Sequence, residues 1–218
     1  AAISVADYIN YFTPLLEEYD AIIHINIATG YSACHQNCNI AVQEMGTDRI
    51  FPVDSHNLSL GSGILALMAR HYAEQGLSPQ EIVAKLESDR EKRVEFDFVL
   101  ETLSYLHKGG RCSSVAALGA NLLRLHPCIK VSTEMNVGKK YRGSMPKVWD
   151  QWIRDRMAEP DTIDPEWLLL VYTSDTMEDV DEAIALCKSL VPFRNVALTR
   201  AGCTVTSHSG PHTLGMAF

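Results

Sequence analysis

A chain of 218 residues with 46% hydrophobic content can fill a substantial core and is long enough for two ordinary domains, which places it among globular proteins. Its formal charge of −8 argues against a general nucleic-acid partner, because a phosphate backbone would be repelled by most of the surface. The longest apolar runs, at residues 22–28, 63–69 and 167–172, fall far short of the roughly 20 residues that cross a bilayer, so no membrane span is expected, and no signal peptide is read at the start.

Along the chain, helix and strand patterns alternate. Residues 6–18 carry Tyr8, Ile9, Phe12, Leu15 and Leu16 at helical spacing, and residues 21–28 form a β-rich run containing Asn26. The turn Thr29-Gly30-Tyr31-Ser32 follows, with Ser32 placed to cap a helix running to Met45. A short strand at residues 50–53 ends at Asp54-Ser55 and leads into a helix that reaches Glu74. Ser78-Pro79-Gln80-Glu81 is a capping box with proline at the first helical position, and residues 94–100 alternate as a strand. This alternation implies a mostly parallel, Rossmann-like sheet covered on both faces.

Beyond Lys108-Gly109-Gly110-Arg111 the pattern changes. A short helix (115–123), strands at 128–132 and 135–140, a Trp-bearing helix (145–157), a strand (167–172), a helix (177–190) and short strands near 195–198 and 204–208 predict a mixed-sheet α+β domain. The expected division is 1–108 for the N-terminal α/β domain and 109–218 for the C-terminal α+β domain.

The six cysteines (34, 38, 112, 128, 187 and 203) complete no metal site of familiar spacing, and the eight histidines are not read as a metal cluster. The thiols read as reduced and mostly buried, which points to a cytoplasmic protein. Eight of the 19 Lys and Arg residues fall between Tyr105 and Asp150, opposed there by Glu134 and Asp150 alone. That excess could meet a phosphate or an acidic protein face, although by itself it reads as solvated surface.

Three local sites could carry chemistry. Thr29-Gly30-Tyr31-Ser32-Ala33 sits at the carboxyl end of a strand and the amino end of a helix, where unpaired N–H groups and the helix dipole favour an anion. Taken alone, Ser32 is better explained as a helix N-cap, and Gly30-x-Ser32-x-Cys34 also lacks only the last glycine of a nucleophile elbow. Gly109-Gly110 reads as a helix C-cap and turn that gives Arg111 a defined direction, from which its guanidinium could meet a carboxylate or phosphate. His208-Ser209-Gly210-Pro211 reads as the end of a short strand followed by a tight turn that fixes the imidazole. A dinucleotide fingerprint at Gly61-x-Gly63-x-x-Ala66 with Glu81 is rejected: the strand ends well before Gly61, Glu81 belongs to the capping box, and the glycines are better explained by close packing at a helix start.

These stretches resemble the DegV family of bacterial fatty-acid-binding proteins. The resemblance rests on Ile25-Asn26-Ile27-Ala28-Thr29-Gly30-Tyr31-Ser32, Val53-Asp54-Ser55, Leu103-Ser104-Tyr105-Leu106-His107-Lys108-Gly109-Gly110-Arg111, Lys140-Tyr141-Arg142-Gly143 and His208-Ser209-Gly210-Pro211-His212-Thr213-Leu214-Gly215. It implies a two-domain carrier that holds a long-chain fatty acid between its domains and presents the carboxylate to a separate fatty-acid kinase. The ligand is the fatty acid, and no cofactor is implied. By position, Ser32 resembles the serine that binds the carboxylate, with Ala33 and Thr29 beside it. Arg111 and His208 resemble the family's basic residues near the carboxylate, suited to stabilising an acyl phosphate. Thr29, Ala33 and Cys34 depart from the usual residues of the first motif, and His212 from the last. The family pattern also includes an earlier strand and a threonine that shares the carboxylate, which are expected upstream of Ala1.

Two other functions fit the same residues. A serine esterase or lipase would use Ser32 with Asp54 or Asp175 and His208, in the Ser, acid, His order of α/β-hydrolases. A small polar ligand or phosphosugar module would use the same helix N-terminus.

Overall fold

The computed structural model describes residues 2–110, 125–173 and 178–218. Two compact units are present, one of residues 1–94 with 132–134 and one of residues 95–131 with 135–218.

In the first unit, α1 (Val5–Glu18) starts at a capping box in which the Asp7 amide donates to Ser4 Oγ at 3.2 Å and the Ser4 amide to Asp7 Oδ2 at 3.3 Å. Its buried Tyr8 and Phe12, one turn apart, pack with Cys38 and Ala41 of α2 (Cys34–Met45) and with Ile50. Arg49 closes the end of α1, donating from Nε to the Asp20 carbonyl at 2.8 Å and from Nη2 to the Leu16 carbonyl at 2.7 Å. Strands β1 (Ile22–Asn26) and β2 (Ile50–Asp54) pair in parallel, with Ile22 opposite Ile50 and Asn26 opposite Asp54. Helices α3 (Ser59–Glu74) and α4 (Pro79–Arg93) complete the unit. The capping box expected at Ser78 is present, with Glu81 N donating to Ser78 Oγ at 3.4 Å and Ser78 N to Glu81 Oε2 at 2.8 Å. At the other end of α4, Arg90 Nη1 donates to the Asp54 carbonyl at 2.7 Å, tying the helix to the end of β2.

The second unit is built on a six-stranded mixed sheet. Its elements are β3 (Phe96–Val99), α5 (Ser104–Gly109), β4 (His126–Val131), β5 (Met135–Tyr141), α6 (Met145–Arg156), β6 (Trp167–Tyr172), α7 (Glu178–Leu190), β7 (Asn195–Arg200), α8 (Cys203–Ser209) and β8 (Leu214–Ala217). The strand order is β5-β4-β3-β8-β6-β7, with β6 and β7 parallel and the other neighbours antiparallel. Helix α6 buries Met145, Val148, Trp149, Trp152 and Ile153 at helical spacing, and they share a core with Leu168, Leu170, Leu214 and Met216 from the sheet.

The expected mixed α/β fold is therefore present, with differences in detail. The second unit takes in β3, ahead of the boundary placed near Gly109, because Phe96–Val99 pairs with both β4 and β8. The strand expected near residues 204–208 is helix α8, so His208 stands in a last helical turn and not at a strand end. Its hydroxyls donate to nearby carbonyls: Thr206 Oγ1 to Ala201 at 3.3 Å, Ser207 Oγ to Thr204 at 2.9 Å and Ser209 Oγ to Val205 at 2.9 Å. Strand β8, absent from the sequence reading, lies centrally and is buried throughout. The helix expected at 115–123, together with Arg111, Cys112 and Asp175, lies outside the described residues.

A buried ion pair crosses the second core. Asp97 Oδ2 on β3 lies 2.8 Å from Arg156 Nε on α6, with the two side chains 4% and 18% exposed. Arg156 also reaches Glu95 Oε2 at 2.7 Å and lies over the Phe218 ring at 5.0 Å. Burial pushes the Asp97 carboxyl up from the ordinary carboxylate range, against the pull of the Arg156 guanidinium. Arg156→Met should thus strand an unpaired buried charge and cost about 3–5 kcal/mol in denaturant unfolding at neutral pH, and Asp97→Leu in the same chain should recover much of it. A loss below about 1 kcal/mol would reduce the pair to the rank of a surface ion pair.

Candidate functional site

The carboxyl ends of β1 and β2 are adjacent because the strands run parallel in register. From this edge Thr29 meets Asp54: Thr29 Oγ1 donates to Asp54 Oδ2 at 2.6 Å and the Thr29 amide to the same oxygen at 3.3 Å. The His56 amide donates to Asp54 Oδ1 at 3.0 Å. Burial acts to raise the Asp54 carboxyl, but these donors outweigh it and hold the group below its ordinary value.

Behind Thr29 lies the β2–α3 loop. The Ala28 amide donates to the Asn57 carbonyl at 2.8 Å, and the buried Ser55 Oγ also donates to that carbonyl at 2.8 Å. Ser55 Oγ accepts in turn from Asn57 N at 3.1 Å and pairs with Ser62 Oγ at 3.0 Å. His56 and Ser59 adopt positive φ of 50° and 49° on either side of this turn. A Cβ at Gly61 would overlap the Asn57 side chain, so the glycine serves close packing at the start of α3, as expected. Tyr31 is buried and donates its hydroxyl to the Ser132 carbonyl at 2.6 Å, while Gly30 lies where a Cβ would overlap the Thr133 carbonyl.

Ser32 is half-buried immediately before α2, but Ala33 and not Ser32 occupies the N-cap position. The Ser32 hydroxyl accepts from the Cys34 amide at 3.3 Å and donates to Cys34 Sγ at 3.1 Å. It forms a turn inside the loop in place of the expected cap, because the chain enters the helix one residue later. Burial acts to raise the Cys34 thiol, yet hydrogen bonds with the Ser32 hydroxyl, the Ile3 backbone and the Tyr8 hydroxyl bring it below its ordinary value. Cys38 is buried in the core beneath and its thiol is pushed up to about 11.

In the second unit, α5 ends as expected with Gly110 in the left-handed region at φ 65°. His208 is half-buried at the end of α8. Among the described residues Asp54 is committed to Thr29 and a main-chain amide, and the ring of nearby His56 pairs instead with Glu91 at 2.8 Å. The His56 ring, near Asp54 in sequence, thus turns to Glu91. No group of three or more His, Cys, Asp or Glu suited to a metal occurs among the described residues, and no helix among them is long and apolar enough to cross a membrane.

The family described as "Uncharacterised protein, DegV family" matches residues 1–218. The chain belongs to the DegV family. A DegV domain-containing protein of Caldanaerobacter subterraneus subsp. tengcongensis is 28% identical over 216 residues, covering 99% of this chain and 76% of the relative. A solved structure reporting fatty acid binding of a DegV family protein from Thermus thermophilus is 25% identical with a TM-score of 0.84, covering 100% of this chain and 77% of its own. A DegV lipid binding protein from Thermotoga maritima has the same fold, at 24% identity and a TM-score of 0.85 over 100% of this chain and 75% of its own.

Within this DegV chain the sequence reading singled out Thr29 and Ser32 but not Ser55, Asn57 and Ser62, which brace the same strand ends. The Asp54-Ser55 pair and Gly61 were the signals available. Because the folded Asp54 is held below its unfolded value, its contribution is present above about pH 4 and is lost as pH falls through the folded pKa. Asp54→Asn should therefore be less stable by about 1–2 kcal/mol at neutral pH, with the gap closing on acidification. An equal gap at pH 7 and about pH 2.5 in urea unfolding would contradict this linkage.

Proposed function

We propose that this chain is a lipid carrier that binds one long-chain fatty acid, holds its carboxylate at Ser32 and Ala33, with Thr29 beside them only if its hydroxyl turns from Asp54, and presents it to a separate fatty-acid kinase. The reading rests chiefly on DegV membership together with the fatty-acid binding reported for the Thermus thermophilus relative. The first unit offers suitable chemistry, a hydroxyl beside the first amides of α2 where the helix dipole favours a negative charge. The Ser32 proton now points at a weak sulfur acceptor, and turning it to a carboxylate exchanges that contact for a charge-assisted hydrogen bond.

A buried carboxylate needs several donors at once, so hydroxyl and backbone amides act together. The acyl chain supplies most of the affinity: each buried methylene contributes about 0.8 kcal/mol, or on the order of 10 kcal/mol for a palmitate-sized tail before ordering costs. Arg111 and His208 take the later role, stabilising the charge that builds up as the carboxylate becomes an acyl phosphate. The setting is the cytoplasm, where such thiols stay reduced.

Ser32→Ala removes one hydrogen bond to a charged group, worth about 1.5–3 kcal/mol, so fatty-acid affinity should fall roughly 10- to 100-fold while the far-UV circular dichroism stays the same. Unchanged affinity with reduced helicity would make Ser32 a structural turn residue only.

A further inference from the structure

Helices α5 and α8 interlock through two glycines. A Cβ on Gly109 would overlap Nδ1 of His208 and crowd its Cε1 at 2.9 Å, so the imidazole lies directly on the Gly109 backbone. One turn earlier on α5, the Tyr105 ring lies against Gly210 in the same way: a Cβ there would overlap Cδ2 and stand 2.8 Å from Cε2. Residues four apart share a helix face, so Tyr105 and Gly109 present one surface, a ring followed by a gap. Across from it, His208 and Gly210 present the complement.

Gly210 is itself held firmly. It has φ 80°, its amide donates to the Thr206 carbonyl at 2.8 Å, and its carbonyl accepts from Thr173 Oγ1 at 2.8 Å and Thr213 Oγ1 at 3.3 Å. Thr173 and Thr213 are buried and joined by a bond from Thr213 N to Thr173 Oγ1 at 2.9 Å. The backbone carrying His208 is thus fixed from one side, and its ring is fixed by Gly109 from the other.

The ring's orientation has a chemical consequence. His208 Nδ1 is buried and has no hydrogen-bond partner among the described residues. A buried N–H without an acceptor is costly, so the neutral ring leaves Nδ1 bare and carries its proton on Nε2. The imidazole then has one defined donor, Nε2–H, of the kind that stabilises an oxyanion.

We infer that Gly109 and Tyr105 are positioning residues for His208, setting its ring orientation and its Nε2–H tautomer for phosphoryl transfer. The inference rests on the role given to His208 above.

The test is Gly109→Ala in the full-length protein, with Tyr105→Phe as the conservative control. A Cβ at this position overlaps the His208 ring, so a merely structural role predicts a lower Tm, while protein that remains folded keeps its full rate of phosphorylation. The positioning role predicts retained fatty-acid binding, acyl-phosphate formation lowered about 10- to 100-fold with the kinase and ATP, and no further loss on adding His208→Ala. Tyr105→Phe, which keeps the ring, should behave as the unaltered protein. Imidazole 15N NMR provides a readout free of the kinase: His208 should show a single Nε2–H tautomer that becomes mixed or reversed in Gly109→Ala. An unaltered His208 spectrum in that variant overturns the positioning. A changed spectrum with full phosphorylation in His208→Ala upholds the ring geometry and removes His208 from the transfer, so the two failures are distinct.

Discussion

Parallel pairing of two short strands determines what the first unit can hold. With Asn26 opposite Asp54, both strands end at one edge, and the chain must leave that edge through backbone that no ladder satisfies. The structure meets this need with side chains. Asp54 takes up the Thr29 and His56 amides, Ser55 and Asn57 satisfy each other, and Ser32 receives the Cys34 amide. The Ser32 hydroxyl and the first amides of α2 lie beside that edge, and the proposed carboxylate site draws on them.

The second unit solves a different problem. Its central strands are buried on both faces, and Asp97 in β3 can remain there because Arg156 reaches it from α6. Around this core the antiparallel strands bring distant stretches of chain together, so that the segment before Arg111 and the segment near residue 208 form one local surface.

Much of this was legible in the sequence because it is local. The Ser78 capping box, the tryptophan helix and the Gly110 C-cap are each specified by residues a few positions apart, and each is present as expected. Elements that depend on distant partners were not legible. Thr204–Val205–Thr206 has β propensity but folds as a helix whose hydroxyls satisfy its own carbonyls, and Leu214–Ala217 is a strand only because β3 and β6 flank it. At the site, the Thr29 contact with Asp54 and the Gly109 contact with His208 join residues far apart in sequence, so spacing could suggest the participants but not their pairing.

The central claim, that this chain carries a fatty acid, is tested most directly by mass spectrometry of the organic extract of the full-length protein purified under native conditions. About one long-chain fatty acid per chain is expected, released on denaturation and taken up again by delipidated protein. Folded protein that yields no fatty acid and takes up none when it is supplied would contradict the account.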